Sequence, residues 1–382
     1  MTEPAAEQKI EMHRGLQGVY FDRTRSSFID GKVGKLLYRG YSIDDLAQHS
    51  TFEETSYLLL HGELPTRDQL DAFDQQLRAA RGIPDAIVRI IRDTKDAHPM
   101  DVLRTAVSAL CAFDAETRDN SVEATMRKGL RLTAQVPTIV AAHHAVRNGE
   151  DPVPPDPALS HAANFLYMVK RQPPSTRAAQ LMDKDFVLHA EHGSNASAFA
   201  ARVVASTCAD LHAAITAAIG ALKGPAHGGA AENVMKMAEA IGAPEEAADY
   251  VKRLRAERKP IMGFGHRVYR AEDPRARHLR EDVKALSVEM GEPKWFAILE
   301  AVVEAMKPYS RHGVHVNVDF YAGVIYHLNG IPQDLFIPIF TIGRVPGWTL
   351  QVMEQLDENI LLRPLLLYDG EIDRTYIPLD QR

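Results

Sequence analysis

Beyond residue 50 the apolar residues of this chain recur at helical spacing in segment after segment, and strand-like alternation is almost absent. Residues 52–61 form a short apolar helix closed by Gly62, and 102–113 place Val102, Leu103, Val107 and Leu110 on one face. Residues 122–148 predict another helix, kinked at Pro137 because proline removes an internal hydrogen bond. Ser160 and Ser175 stand as N-caps for helices over 162–170 and 177–189. Leu211, Ile215, Ile219 and Leu222 mark one face of a helix stopped by Lys223-Gly224-Pro225. Further helices are predicted over 230–241, 245–257, 275–290, 295–306, 319–327 and 334–342, and Pro346 is read as breaking the stretch after Arg344. Only residues 15–40 look extended, with Asp30-Gly31 as a hairpin signal; a further strand signal lies in the last dozen residues. The proline-rich stretch 151–156 is a loop. The expected class is all-α, with a small N-terminal β-hairpin.

At 382 residues, one large or two coupled domains are expected. A net charge of −7 excludes a globally basic nucleic-acid binder. Cys111 and Cys208, the two cysteines, cannot build a disulfide framework or a four-thiolate zinc site. Residues 1–14 are polar and lack the apolar core of a signal peptide, and the longest apolar runs fall short of a membrane span. A cytoplasmic protein without membrane partners is expected.

Sixteen histidines, several beside glycines, invite a search for catalysis. His227 stands in Gly224-Pro225-Ala226-His227-Gly228-Gly229, between a helix end and a helix start. Two readings stand: a residue filling a turn, or a ring kept neutral by the following helix dipole and able to donate to a developing enolate oxygen. In Ile261-Met262-Gly263-Phe264-Gly265-His266-Arg267-Val268-Tyr269-Arg270, two glycines expose backbone N–H groups and the arginines add charge. Residues 252–280 hold ten Lys or Arg against three acids, which fits either an anion site or a solvated basic face. Asp319 follows Asn317-Val318, so Asn317 can cap a helix with the acid in its first turn. That placement means dipole complementation or, in its apolar setting, a base of raised pKa. Arg275, Arg344 and Arg363 lie in apolar surroundings and require an anion, internal or bound. His189-Ala190-Glu191-His192 resembles half a metal site but lacks a third ligand at the right spacing, so no metal is expected.

Taken together, these segments and the stretches Ile29-Asp30-Gly31, Tyr38-Arg39-Gly40, Phe52-Glu53-Glu54-Thr55 and His98-Pro99-Met100 resemble the citrate synthase family from about Gly15 onward. The resemblance implies a homodimer whose subunits have a large helical domain, here 1–223 with 326–382, and a small domain, 224–325, that closes over the substrates. It places the catalytic roles on His227, His266 and Asp319. Oxaloacetate binding falls on His192, Arg275, Arg344 and Arg363, the last reaching into the partner subunit's site. Coenzyme A binding falls on Ile261, Met262, Gly263, Phe264, Gly265, Arg267 and Arg270. Acetyl-CoA would be a substrate, with no cofactor required. The chain lacks the N-terminal portion of the longer, NADH-inhibited members, so that regulation and a hexamer are not expected. A 2-methylcitrate synthase acting on propionyl-CoA uses the same machinery and stays open as an alternative. A metal-dependent hydrolase and a non-enzymatic helical scaffold are more distant readings.

Overall fold

A computed structural model describes residues 11–382; most of the polar 1–14 stretch lies outside the described residues. The chain begins with a three-stranded antiparallel sheet, β1 (Ser27–Asp30), β2 (Lys35–Tyr38) and β3 (Tyr41–Ser42). Asp30 pairs with Lys35, so the hairpin turn spans four residues rather than the two that Asp30-Gly31 suggested.

Sixteen α-helices follow among the described residues. The first five are α1 (Ile43–His49), α2 (Phe52–His61), α3 (Arg67–Ala79), α4 (Asp85–Asp93) and α5 (Pro99–Leu110). Then come α6 (Val122–Arg147), α7 (His161–Lys170), α8 (Thr176–His189), α9 (Ala196–Ser206) and α10 (Leu211–Lys223). The series closes with α11 (Ala230–Ile241), α12 (Ala247–Ala256), α13 (Pro274–Glu289), α14 (Pro293–Ser310), α15 (Asp319–Leu328) and α16 (Phe336–Asp357). Local chemistry sets many of these ends. Gly62 closes α2 in the left-handed region at φ 93°, and Ser160 and Ser175 each accept a backbone N–H in the first turn of α7 and α8.

The core of the larger part is α16, buried on nearly every side and packed on α2, α6, α8, α9 and α10. This helix corrects the expectation that Pro346 breaks the stretch: it continues through Pro346 to Asp357. Packing on all faces outweighs the single hydrogen bond that proline removes. α6 likewise runs on through Pro137. No strand forms in the last dozen residues, only a short 3-10 turn over Leu379–Gln381. Helices α11–α15 pack chiefly on one another, and α13 also lies against α1 and α8. There Asp44 meets Arg277 and His278, and Lys184 meets Asp282 at 2.6 Å. Among the described residues no helix is long and apolar enough to cross a membrane.

Candidate active site

His227 sits in the turn between α10 and α11, where its own N–H bonds the carbonyl of Gly224 at 2.9 Å. Gly228 permits this turn, since a Cβ there would lie 2.3 Å from the Leu222 carbonyl oxygen. The ring's Nε2 accepts the backbone N–H of Ser197 at 3.3 Å and lies 2.8 Å from the Ser197 hydroxyl. That hydroxyl also receives the indole N–H of Trp348, a fully buried residue of α16. With Nε2 engaged as an acceptor, Nδ1 carries the proton of the neutral ring. Burial pushes His227 down to about 4, and the charge of Arg344 acts in the same direction. Desolvation and a neighbouring cation thus favour the neutral ring.

The glycine-rich loop over 261–270 is stitched to the segment leading into α15. Phe264 and Val316 form an antiparallel bridge, Gly265 N–H bonds the His315 carbonyl at 2.8 Å, and Asn317 N–H bonds the Gly263 carbonyl at 2.9 Å. Asn317 donates its side-chain amide to the Gly265 carbonyl at 3.0 Å and accepts the Asp319 N–H at 3.2 Å. One asparagine thus fixes both the His266 loop and the first residue of α15. The Nδ1 of His266 accepts the N–H groups of Val268 and Tyr269 at 3.0 and 3.2 Å, so its proton resides on Nε2. Burial pushes His266 down to about 4, with Arg275 adding to the shift. At Asp319 burial raises the pKa above the usual carboxylate range, opposed by His189 and Arg275. This base-like environment arises from desolvation, the second of the two sequence readings.

Further buried histidine and arginine side chains lie beside these groups. His192 packs edge-on against His266 with ring centroids 5.2 Å apart, and its Nε2 lies 3.0 Å from the Tyr269 hydroxyl. Burial holds His192 well below its ordinary range, aided by Arg275, His266 and Arg344. Arg275 is buried and forms a two-pronged pair with Asp273 at 2.9 and 2.7 Å. Burial alone would lower its pKa, but the Asp273 carboxylate outweighs that effect and secures the charge. Arg344 is different. It is 1% exposed, donates Nε to the His189 carbonyl, lies over the Phe340 ring and makes no salt bridge among the described residues. Burial lowers it to about 10, against the field of Glu191. A guanidinium in this state is suited to an anionic ligand.

Arg363 is not part of this cluster; it is exposed on the extended segment after α16. Of the residues assigned to coenzyme A, Ile261 is a core side chain at 3% exposure and Gly263 is buried. Arg267 and Arg270 are exposed, and Met262, Phe264 and Gly265 lie between these extremes. The two histidines of the apparent half metal site face different partners: His189 bonds the Asp185 carbonyl at 2.8 Å, and His192 faces Tyr269. Among the described residues no three His, Cys, Asp or Glu side chains converge as a metal site.

Several participants escape the sequence. Ser197 holds His227 and is itself held by Trp348, 151 residues away in the chain, and nothing in their local sequence announces it. Asp273 had a signal: an acid before Pro274 at a helix start, and it does cap α13 through the Arg275 N–H.

Comparison with known proteins shows which family the chain resembles. The family model described as citrate synthase, C-terminal domain, matches residues 15–365. A citrate synthase of Haloferax volcanii is 43% identical over 97% of this chain and 99% of its own length. A 2-methylcitrate synthase of Corynebacterium glutamicum is 42% identical, covering 97% of this chain and 98% of its own. The crystal structure of citrate synthase from Pyrobaculum aerophilum superposes with a TM-score of 0.92 at 41% identity, covering 97% of this chain and 95% of that one.

Proposed function

The chain belongs to the citrate synthase family of acyltransferases, and from that premise we propose that it condenses acetyl-CoA with oxaloacetate and water to give citrate and CoA. One observation carries the proposal: two neutral imidazoles have opposite nitrogens engaged, His227 through Nε2 and His266 through Nδ1, and each shares a neighbouring buried arginine, Arg344 or Arg275, with the desolvated Asp319. Each ring keeps one N–H for a substrate oxygen. A thioester α-proton is very weakly acidic, so a base needs an electrophile on the oxygen. Asp319 takes the methyl proton while His227 Nδ1–H bonds the thioester oxygen. The enol carbon then attacks the oxaloacetate carbonyl, polarised by His266 Nε2–H. Hydrolysis of the citryl thioester releases CoA.

The oxaloacetate carboxylates fall to Arg344, Arg275 and His192, with Arg363 supplied by a second subunit in a homodimer. The loop over 261–270 is assigned to CoA. Residues 224–325 form the lobe that closes, with 1–223 and 326–382 as its counterpart. Closure keeps water out until condensation is complete. Oxaloacetate is accordingly expected to slow proteolysis within 224–325. Equal cleavage with and without it would count against a closing lobe.

No cofactor enters this sequence of steps. The test of function is thiol release by the purified protein from acetyl-CoA plus oxaloacetate, run beside propionyl-CoA. The likeness to a 2-methylcitrate synthase supports a second reading with the propionyl donor. One methylene in an acyl pocket is worth only about 1–3 kcal/mol. A clear propionyl preference would select that reading, and no thiol release with either donor would reject both.

A further inference from the structure

Glu191 lies between His192 and the helix that carries Arg344, and the steps above give it no part. Its side chain is 0% exposed. Oε1 accepts the Gly193 N–H at 2.6 Å, the Gln351 amide at 2.9 Å, the Ser27 hydroxyl at 3.2 Å and the Ser26 hydroxyl at 3.5 Å. Oε2 is buried without any hydrogen-bond partner. A Cβ on Gly347 would stand 2.7 Å from Oε2, so α16 approaches closely at this point. Arg344, Gly347 and Gln351 are spaced by three and four residues and share one face of α16.

Arg344 has no salt bridge among the described residues, and Glu191 is the strongest anionic influence on it. The charged and titratable groups facing Glu191 are Arg344 from α16, Tyr38 from β2 and Arg39 beyond that strand, with His192 next along its own loop. Two buried anions cannot share one buried cation without a like-charge cost. Neutralising one of them removes that cost.

We propose that Glu191 is the resident counter-charge of Arg344, ionised in the free pocket and protonated from solvent when a dicarboxylate docks on Arg344. The proposal rests on the assignment of Arg344 to an oxaloacetate carboxylate. One proton passes from the buffer to Oε2, the acceptor without a partner. Oε1 keeps its four donors, and the local charge stays balanced because the substrate carboxylate replaces that of Glu191. Burial pushes the Glu191 carboxyl up to about 7, which makes such an exchange accessible near neutrality. Binding linked to proton uptake weakens as pH rises.

The test is calorimetry of oxaloacetate binding, without acetyl-CoA, in buffers of different ionisation enthalpy at about pH 7.5. Wild-type protein should take up about half to one proton per site. Glu191→Gln, which keeps an acceptor for the four donors, should bind oxaloacetate with that uptake lost. Binding without uptake in the wild type, or unchanged uptake in the variant, overturns the proposal. Absence of binding in every buffer overturns the oxaloacetate assignment itself, and this proposal with it. If Glu191→Gln fails to fold, infrared difference spectra of wild type with and without oxaloacetate decide the matter. A new protonated-carboxyl band supports the proposal, and no such band overturns it.

Discussion

His227 and His266 are kept neutral by the same cause, removal from water, and opposite nitrogens are engaged by the backbone. Asp319 is moved the other way by the same burial. These shifts have opposite consequences for stability. Depressed imidazole pKa values favour the folded state above about pH 6.5, and that contribution is lost as pH falls towards 4. By about pH 4.5 each ring accounts for a loss of roughly 2–3 kcal/mol. His266→Asn should therefore lose about that much less stability than wild type between neutral pH and pH ~4.5, measured by denaturant unfolding. Equal losses in the two proteins would mean that the ring is not depressed. For Asp319 the sign reverses: its ionised form is disfavoured in the fold, so neutral pH works against stability there. Asp319→Asn should unfold at no lower denaturant concentration than wild type, yet lose at least about 100-fold in turnover. Retention of a tenth of the activity would remove Asp319 as the base.

At the level of elements, the sequence was most readable where a helix end has its own chemistry. The Ser160 and Ser175 caps and the Gly62 stop each depend on residues within one turn, and all three are present. Helices α1, α3, α4 and α9 were not anticipated, although Thr66 and Gln69 form a complete capping box at the start of α3. The full length of α16 was hidden for a different reason. Its continuation past Pro346 depends on partners from α2, α6, α8, α9 and α10, which no local window contains. The same holds for the site: His227, His266, Asp319 and the arginines could be named from their settings. The Ser197–Trp348 support and the Asn317 stitch required the tertiary structure. Gly347 shows how tightly that long helix fits. An added Cβ would stand 2.0 Å from the Ala190 carbonyl oxygen, a backbone atom that cannot swing aside. Gly347→Ala should cost about 3 kcal/mol in denaturant unfolding and lower oxaloacetate affinity, because Arg344 sits one turn away. A cost below about 0.5 kcal/mol would show that the helix has room to shift.

At the scale of the whole molecule, the proposed role of Arg363 is a matter of assembly. This arginine is exposed on a segment that also presents Leu365 at 89% and Leu366 at 97% exposure, which suits a surface met by another subunit. If Arg363 serves a partner's pocket, Asp319→Ala and Arg363→Ala homodimers should each be nearly inactive, for different reasons. Refolding the two together makes hybrids with two unlike sites. In one site both substitutions meet. The other combines an intact Asp319 with an intact Arg363 from the opposite chain. Random pairing makes half of all two-fold dimers hybrids, each with one good site, so about a quarter of wild-type turnover should return. An Arg363 acting within its own subunit predicts no recovery, because every site then carries one substitution. Hybrids verified by native mass spectrometry that stay at the homodimer background would rule out a site shared between subunits.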